Sequence, residues 1–284
     1  MSCPDCFSGH VHSSEPQGQV TKLHGLDVYV ASPAPEPTGH SAAAAIRGII
    51  IIIPDAFGWE FVNNRILADH YAQKGRYKVY LPDFMNGHSC PVWAISVMRD
   101  LFKTDTLYDW LFKPYYIGCA MYSMLPFMYF NRPGKSWPIV KSFFAAVRQN
   151  EGAQLPVGAA GFCWGGKHTV TLAHGAEVDG KPLINAGFTG HPSLLNIPGD
   201  IEKIKIPVSF ALGELDMAVK MPQIEQIKNI MESKDGVGDV RVYHGAGHGF
   251  CVRADHVLED AEKQAIEAED QALDWFNRHF ANVQ

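Results

Sequence analysis

The run Gly161-Phe162-Cys163-Trp164-Gly165-Gly166 sets a thiol between two glycines, each two residues away. On a tight strand-to-helix turn such a thiol is pushed out above a sheet edge. The flanking glycines are needed because a Cβ there would strike neighbouring backbone. A free thiol is mostly protonated at neutral pH, so it needs a base within hydrogen-bond reach, and a following helix N-terminus favours its thiolate. By itself the run also fits a small buried cysteine. Two later segments add what a nucleophile requires: Gly213-Glu214-Leu215-Asp216 carries a carboxylate, and Gly245-Ala246-Gly247-His248-Gly249-Phe250 an imidazole in a glycine-flanked loop. Cys163 is then the nucleophile, His248 its base, and Asp216 the group that fixes the imidazole tautomer and stabilises the imidazolium. A tetrahedral oxyanion needs two donors. The expected ones are the backbone N–H groups of Trp164 and of Ala56, in Pro54-Asp55-Ala56-Phe57-Gly58-Trp59.

These segments must be held by a sheet. Short β-branched runs predict strands over 48–53, 78–81, 157–162, 184–189, 208–212 and 240–243, with an outlying strand within 21–30. Amphipathic stretches predict helices over 61–74, from the end of the 157–162 strand to about 174, over 223–232 and over 258–280. Strands alternating with helices imply an α/β fold with a mostly parallel central sheet and helices on both faces. Nucleophile, acid and histidine each follow a separate strand, in the chain order of the α/β-hydrolase fold. The expected organisation is one domain over 1–284, with an N-terminal extension over 1–40 and a helical, aromatic-rich insertion over 86–140 above the active site. That insertion reads either as a cover lining an apolar substrate pocket, or as extra core packing or a homodimer interface.

Composition narrows the class. Apolar residues make up 46% of the 284 and charged residues 19%, which excludes a disordered chain. The net charge of −6 argues against a nucleic-acid partner. Six cysteines spread over the chain are too few for a disulfide-stapled scaffold, and the N-terminus lacks the marks of a secretory signal, so a cytoplasmic protein is expected. The stretch 114–131 carries no charged side chain. A single membrane span there would put Ala56 and Cys163 on opposite sides of a bilayer, so stable membrane insertion is not expected, although a re-entrant or surface-associated segment stays open. Cys3, Cys6, His10 and His12 have the outline of a zinc set but read as a tail packed on the body, so neither metal nor cofactor is expected. His168, His174 and His191 read as ordinary hydrogen-bonded histidines, and Asp83 as a turn residue.

The segments around Cys163, Asp216 and His248, with 54–58, resemble the dienelactone hydrolase (carboxymethylenebutenolidase-like) family, especially its fungal members, over roughly 20–280. The resemblance implies a cofactor-independent hydrolase that opens small lactones or esters through a thioester acyl-enzyme. It also implies that Asp55 stands where bacterial members carry a glutamate that helps activate the thiol when substrate binds. Asp55 is one methylene shorter, and a turn-capping role is the alternative. Arg253 fits one of the family's substrate-carboxylate arginines, while no second arginine can be placed. Phe57 and Trp59 fall in the accessory, substrate-facing segment. With a single arginine and an aromatic cover, the substrate expected is a larger, more apolar ester or lactone than a small anionic dienelactone. A cyclase, dehydratase or acyl-transfer enzyme on the same three residues, or a silent binding protein, are the alternatives.

Overall fold

The computed structural model describes residues 11, 15–34, 46–234, 236–254 and 259–281; the Cys3/Cys6/His10/His12 tail lies outside them. Among the described residues eight strands form one sheet. They are β1 (Gln19–Leu23), β2 (Leu26–Ala31), β3 (Ile49–Ile53), β4 (Lys78–Pro82), β5 (Val157–Phe162), β8 (Ala186–Gly190), β9 (Val208–Gly213) and β10 (Gly238–Tyr243). A two-residue hairpin, β6 (Glu177–Val178) with β7 (Lys181–Pro182), stands apart. The sheet order is β1-β2-β4-β3-β5-β8-β9-β10; β2 runs antiparallel to both of its neighbours, β1 and β4, and the other neighbouring pairs are parallel.

The β3 sequence explains its central place. Five consecutive isoleucines are fully buried: Ile50 and Ile52 join the core on one face, and Ile49, Ile51 and Ile53 the core on the other. Alternation along the pleat divides them, and each contributes roughly 1.5–3 kcal/mol of burial. The first face is covered by α1 (Val62–Gly75) and α9 (Glu259–Phe280), the second by α4 (Pro133–Gln149), α5 (Trp164–Leu172) and α7 (Met221–Glu232). Close approach of α9 needs glycine beneath it: a Cβ on Gly158 would lie 2.5 Å from the Phe276 ring.

Strand order also fixes where a ligand can sit. From β3 the chain crosses through α1 to β4 on one side, then returns through α4 to β5 on the other. Such a reversal opens a crevice at the carboxyl ends of the two central strands. The 54–58 segment leaves one of those ends and Cys163 the other.

Two expected elements differ. The 21–30 strand is a hairpin, because His24 (φ 48°) and Gly25 (φ 85°) take the left-handed conformations of a tight two-residue turn. The 86–140 segment forms α2 (Ala94–Phe102) and α3 (Leu107–Phe130), but its last residues belong to the longer α4, which starts at Pro133. Val140, Phe143, Phe144 and Val147 of α4 are buried against the sheet, so this helix is the ordinary crossover into β5. No helix among the described residues is long and apolar enough to cross a membrane.

Candidate active site

Cys163 sits between β5 and α5 with φ 51° and ψ −112°, a conformation that non-glycine residues seldom take and that elsewhere marks stored strain at functional sites. The turn is tight enough to exclude side chains around it. A Cβ would lie 2.4 Å from the Gly165 carbonyl oxygen if placed on Gly161, and 2.5 Å from Thr189 Oγ1 if placed on Gly166. On Gly165 it would come within 2.0 Å of the Ile53 carbonyl oxygen and 2.9 Å of that of Pro54. The first turn of α5 is therefore pressed against the end of β3, which brings the 54–58 segment beside the Cys163–Trp164 backbone. The helix start adds partial positive charge at the sulfur.

Asp216 follows β9 and His248 follows β10, so three strand ends deliver the three side chains. All are buried, with Cys163 only 4% exposed. His248 Nδ1 lies 2.9 Å from each Asp216 carboxylate oxygen. Asp216 is itself fixed by accepting from the Ala218 N–H at 2.7 Å. Burial opposes protonation of His248, yet charge and hydrogen bonding from Cys163, together with Asp216, hold its pKa up at about 10. The Asp216 carboxylate and the charge at Cys163 therefore both act on this one imidazole.

The accessory residues form a second linked group. Asp55 is fully buried; its Oδ2 accepts from Arg253 Nη1, while its Oδ1 accepts from the Phe57 N–H (3.2 Å) and Asn64 Nδ2 (3.0 Å). It therefore caps its own turn and also neutralises Arg253. Burial raises the Asp55 pKa, with Arg253 pulling the other way and the charge at Cys163 adding to the rise. The Arg253 guanidinium lies 5.1 Å from the centroid of the buried Phe57 ring. Trp59 is only half-buried and carries the Arg65 guanidinium at 4.9 Å. Ala56 is buried, and its carbonyl accepts from the Cys90 N–H at 2.8 Å. The Trp164 indole is buried and donates Nε1–H to the Asn131 carbonyl at 2.7 Å.

Three of the minor expectations meet ordinary partners. Asp83 accepts from the Met85 and Gly87 N–H groups, His168 meets Ser136 Oγ at 3.0 Å, and His174 meets the Asp200 carbonyl at 2.8 Å. His191 departs from expectation. It lies just past β8 with φ 38°, neither ring nitrogen meets a hydrogen-bond partner among the described residues, and its ring stands edge-on to His248 at 5.0 Å. Burial holds it well below the usual histidine range, with the neighbouring His248 and Arg253 pushing the same way. Ser193 Oγ lies 3.7 Å from Cys163 Sγ, a neighbour whose only sequence signal is its place two residues past His191. Among the described residues no cluster of three His, Cys, Asp or Glu could hold a metal.

An eight-stranded sheet of this order with Cys, Asp and His in that chain order at three strand ends is an α/β-hydrolase fold. Residues 39–280 match the profile of the dienelactone hydrolase family, and the chain belongs to it, among hydrolases of ester and lactone bonds. It is 27% identical over 274 residues to "Hydrolase pyvD" of Aspergillus violaceofuscus, covering 96% of this chain and 95% of that protein. It is 26% identical to "Dienlactone hydrolase 1" of Gibberella moniliformis, covering 87% and 82% of the two chains. A crystal structure of a putative dienelactone hydrolase from Klebsiella pneumoniae superposes with a TM-score of 0.60 at 17% identity, over 91% of this chain and 93% of that one, and shares the fold.

Proposed function

We propose that this hydrolase uses Cys163 as nucleophile and passes through a thioester acyl-enzyme, with His248 and Asp216 completing the relay. The observation that carries the reading is the buried His248, joined to both oxygens of Asp216 and raised to a pKa of about 10 by its coupling to Cys163 and Asp216. Such a pairing favours thiolate with imidazolium. The thiolate attacks the acyl carbon, and the N–H groups of Trp164 and Ala56 receive the developing oxyanion. The imidazolium protonates the departing alkoxide, so a lactone opens without leaving the site. A water then attacks the thioester while His248, now neutral, takes its proton.

The substrate reading follows from Arg253. Its charge is already met by Asp55 inside the protein, so an anionic group must compete with a buried carboxylate to reach it. This supports an uncharged, more apolar ester or lactone over a small dianion. Steady-state turnover of aryl esters and of neutral and anionic lactones tests the proposal. Wild type should prefer neutral substrates, and Cys163→Ala and His248→Ala should each lose several orders of magnitude. Undiminished turnover in Cys163→Ala contradicts the assignment, and preference for the anionic lactone contradicts the substrate class.

A further inference from the structure

Helix α3 is apolar on nearly every side, yet only Ala120, Ser123 and Met124 are buried. A helix of that composition belongs in a core or in lipid. It leans on α2, and its opposite half is bare. Leu107, Leu111, Tyr115, Tyr122, Leu125 and Tyr129 recur at helical spacing along that half, and Leu107, Leu111 and Tyr122 are 86%, 72% and 77% exposed. Twelve large apolar side chains of α3 are exposed in all. At roughly 150–250 Å² for each aromatic ring, the face offers on the order of 1,000 Å², beyond the few hundred usual on a soluble monomer.

Charge identifies what covers it. The chain carries a net charge of −6, yet residues 110–150 contain no acid and five bases. One of them, Arg148, is buried and bonded to Asn185, whereas Lys113, Arg132 and Lys135 border the apolar face. Lys113 lies 3.8 Å from the centroid of Trp110, and Arg132 and Lys135 lie 4.7 and 4.4 Å from that of Tyr129. Tyrosines and tryptophan with polar tips, set beside basic side chains on long stems, suit the boundary between headgroups and acyl chains. Of the nearby acids, Asp100 pairs with Lys103 and Asp109 caps α3, while the exposed Asp105 stands before the start of α3, away from Arg132 and Lys135 beyond its other end. A two-fold contact with a second copy would gather these bases on one interface, while anionic headgroups would neutralise them.

We propose that the outward face of α3, rimmed by Lys113, Arg132 and Lys135, docks the protein peripherally on an anionic lipid bilayer. The helix lies along the interface, because both roots of the α2–α3 excursion are tied to the body. The Cys90 N–H donates to the Ala56 carbonyl, and Trp164 Nε1–H donates to that of Asn131. Those roots adjoin the candidate active site, so docking brings it near a source of apolar esters. The docking itself requires no chemistry at Cys163.

Flotation of the full chain with phosphatidylcholine vesicles, with and without 30% phosphatidylserine, tests this. Binding should be at least ten-fold tighter to the anionic vesicles and weaken with salt. Lys135→Gln should reduce it about five-fold, and Arg132→Gln with it by about a further five-fold. The exposed pair Leu111→Asp/Leu125→Asp should abolish binding with thermal unfolding unchanged. Folded wild type that stays behind with anionic vesicles, or that binds both vesicles equally, overturns the proposal. So does a wild-type dimer, seen by light scattering, that the same pair splits while vesicles have no effect.

Discussion

Asp216→Asn isolates the carboxylate's part in the relay. Asp216 is 3% exposed and presents both oxygens to His248 Nδ1 at 2.9 Å, so the substitution removes a buried charge without changing side-chain size. A hydrogen bond to a charged group is worth about 1.5–3 kcal/mol. Losing it makes the imidazolium roughly ten- to a hundred-fold harder to form. The folded-state pKa of His248 is about 10, above the ordinary 6.5, so its protonated form should persist as pH rises until about 10. In the variant the alkaline limb of kcat/KM should fall by one to two pH units. An asparagine amide can also donate to Nδ1 and lock the wrong tautomer, which predicts a loss of about 10³- to 10⁴-fold in kcat. Hydrolysis of a p-nitrophenyl ester followed from pH 5 to 11 reads both effects. An alkaline limb at the same pH in both proteins, with kcat within ten-fold, would refute the coupling of Asp216 to the chemistry.

Other perturbations test the scaffold. Gly165→Ala places a Cβ 2.0 Å from the Ile53 backbone oxygen, which cannot yield as a side-chain tip could; a loss above about 3 kcal/mol in urea unfolding is expected. Arg253→Met strands the buried Asp55 and should cost about 3–5 kcal/mol, with roughly half or more recovered in Arg253→Met/Asp55→Asn. Trp164→Phe removes the bond to the Asn131 carbonyl and should destabilise by about 1–2 kcal/mol.

The positions of Cys163, Asp216 and His248 were legible in the sequence because each follows a short, mostly uncharged strand that contains or opens on valine, with glycines where it ends. Strand β1 was not, since its residues are mostly exposed and show no alternation, leaving only His24-Gly25 to signal the turn. The start of α4 was hidden because Pro133 follows a stretch already rich in helix-compatible aromatics. Asp55 and Arg253 are 198 residues apart, and which charge an arginine meets is a tertiary fact. The same holds for His191, whose contact with His248 depends on how the ends of β8 and β10 converge.

In the proposed mechanism the sulfur at position 163 carries the acyl group. Intact-mass spectrometry of wild type quenched in acid within the first turnover, with peptide mapping, addresses it directly. A mass increase equal to the substrate's acyl portion is expected, located on Cys163 and absent from Cys163→Ala. Product formed with no adduct at any time, or an adduct on Ser193 instead, would contradict it.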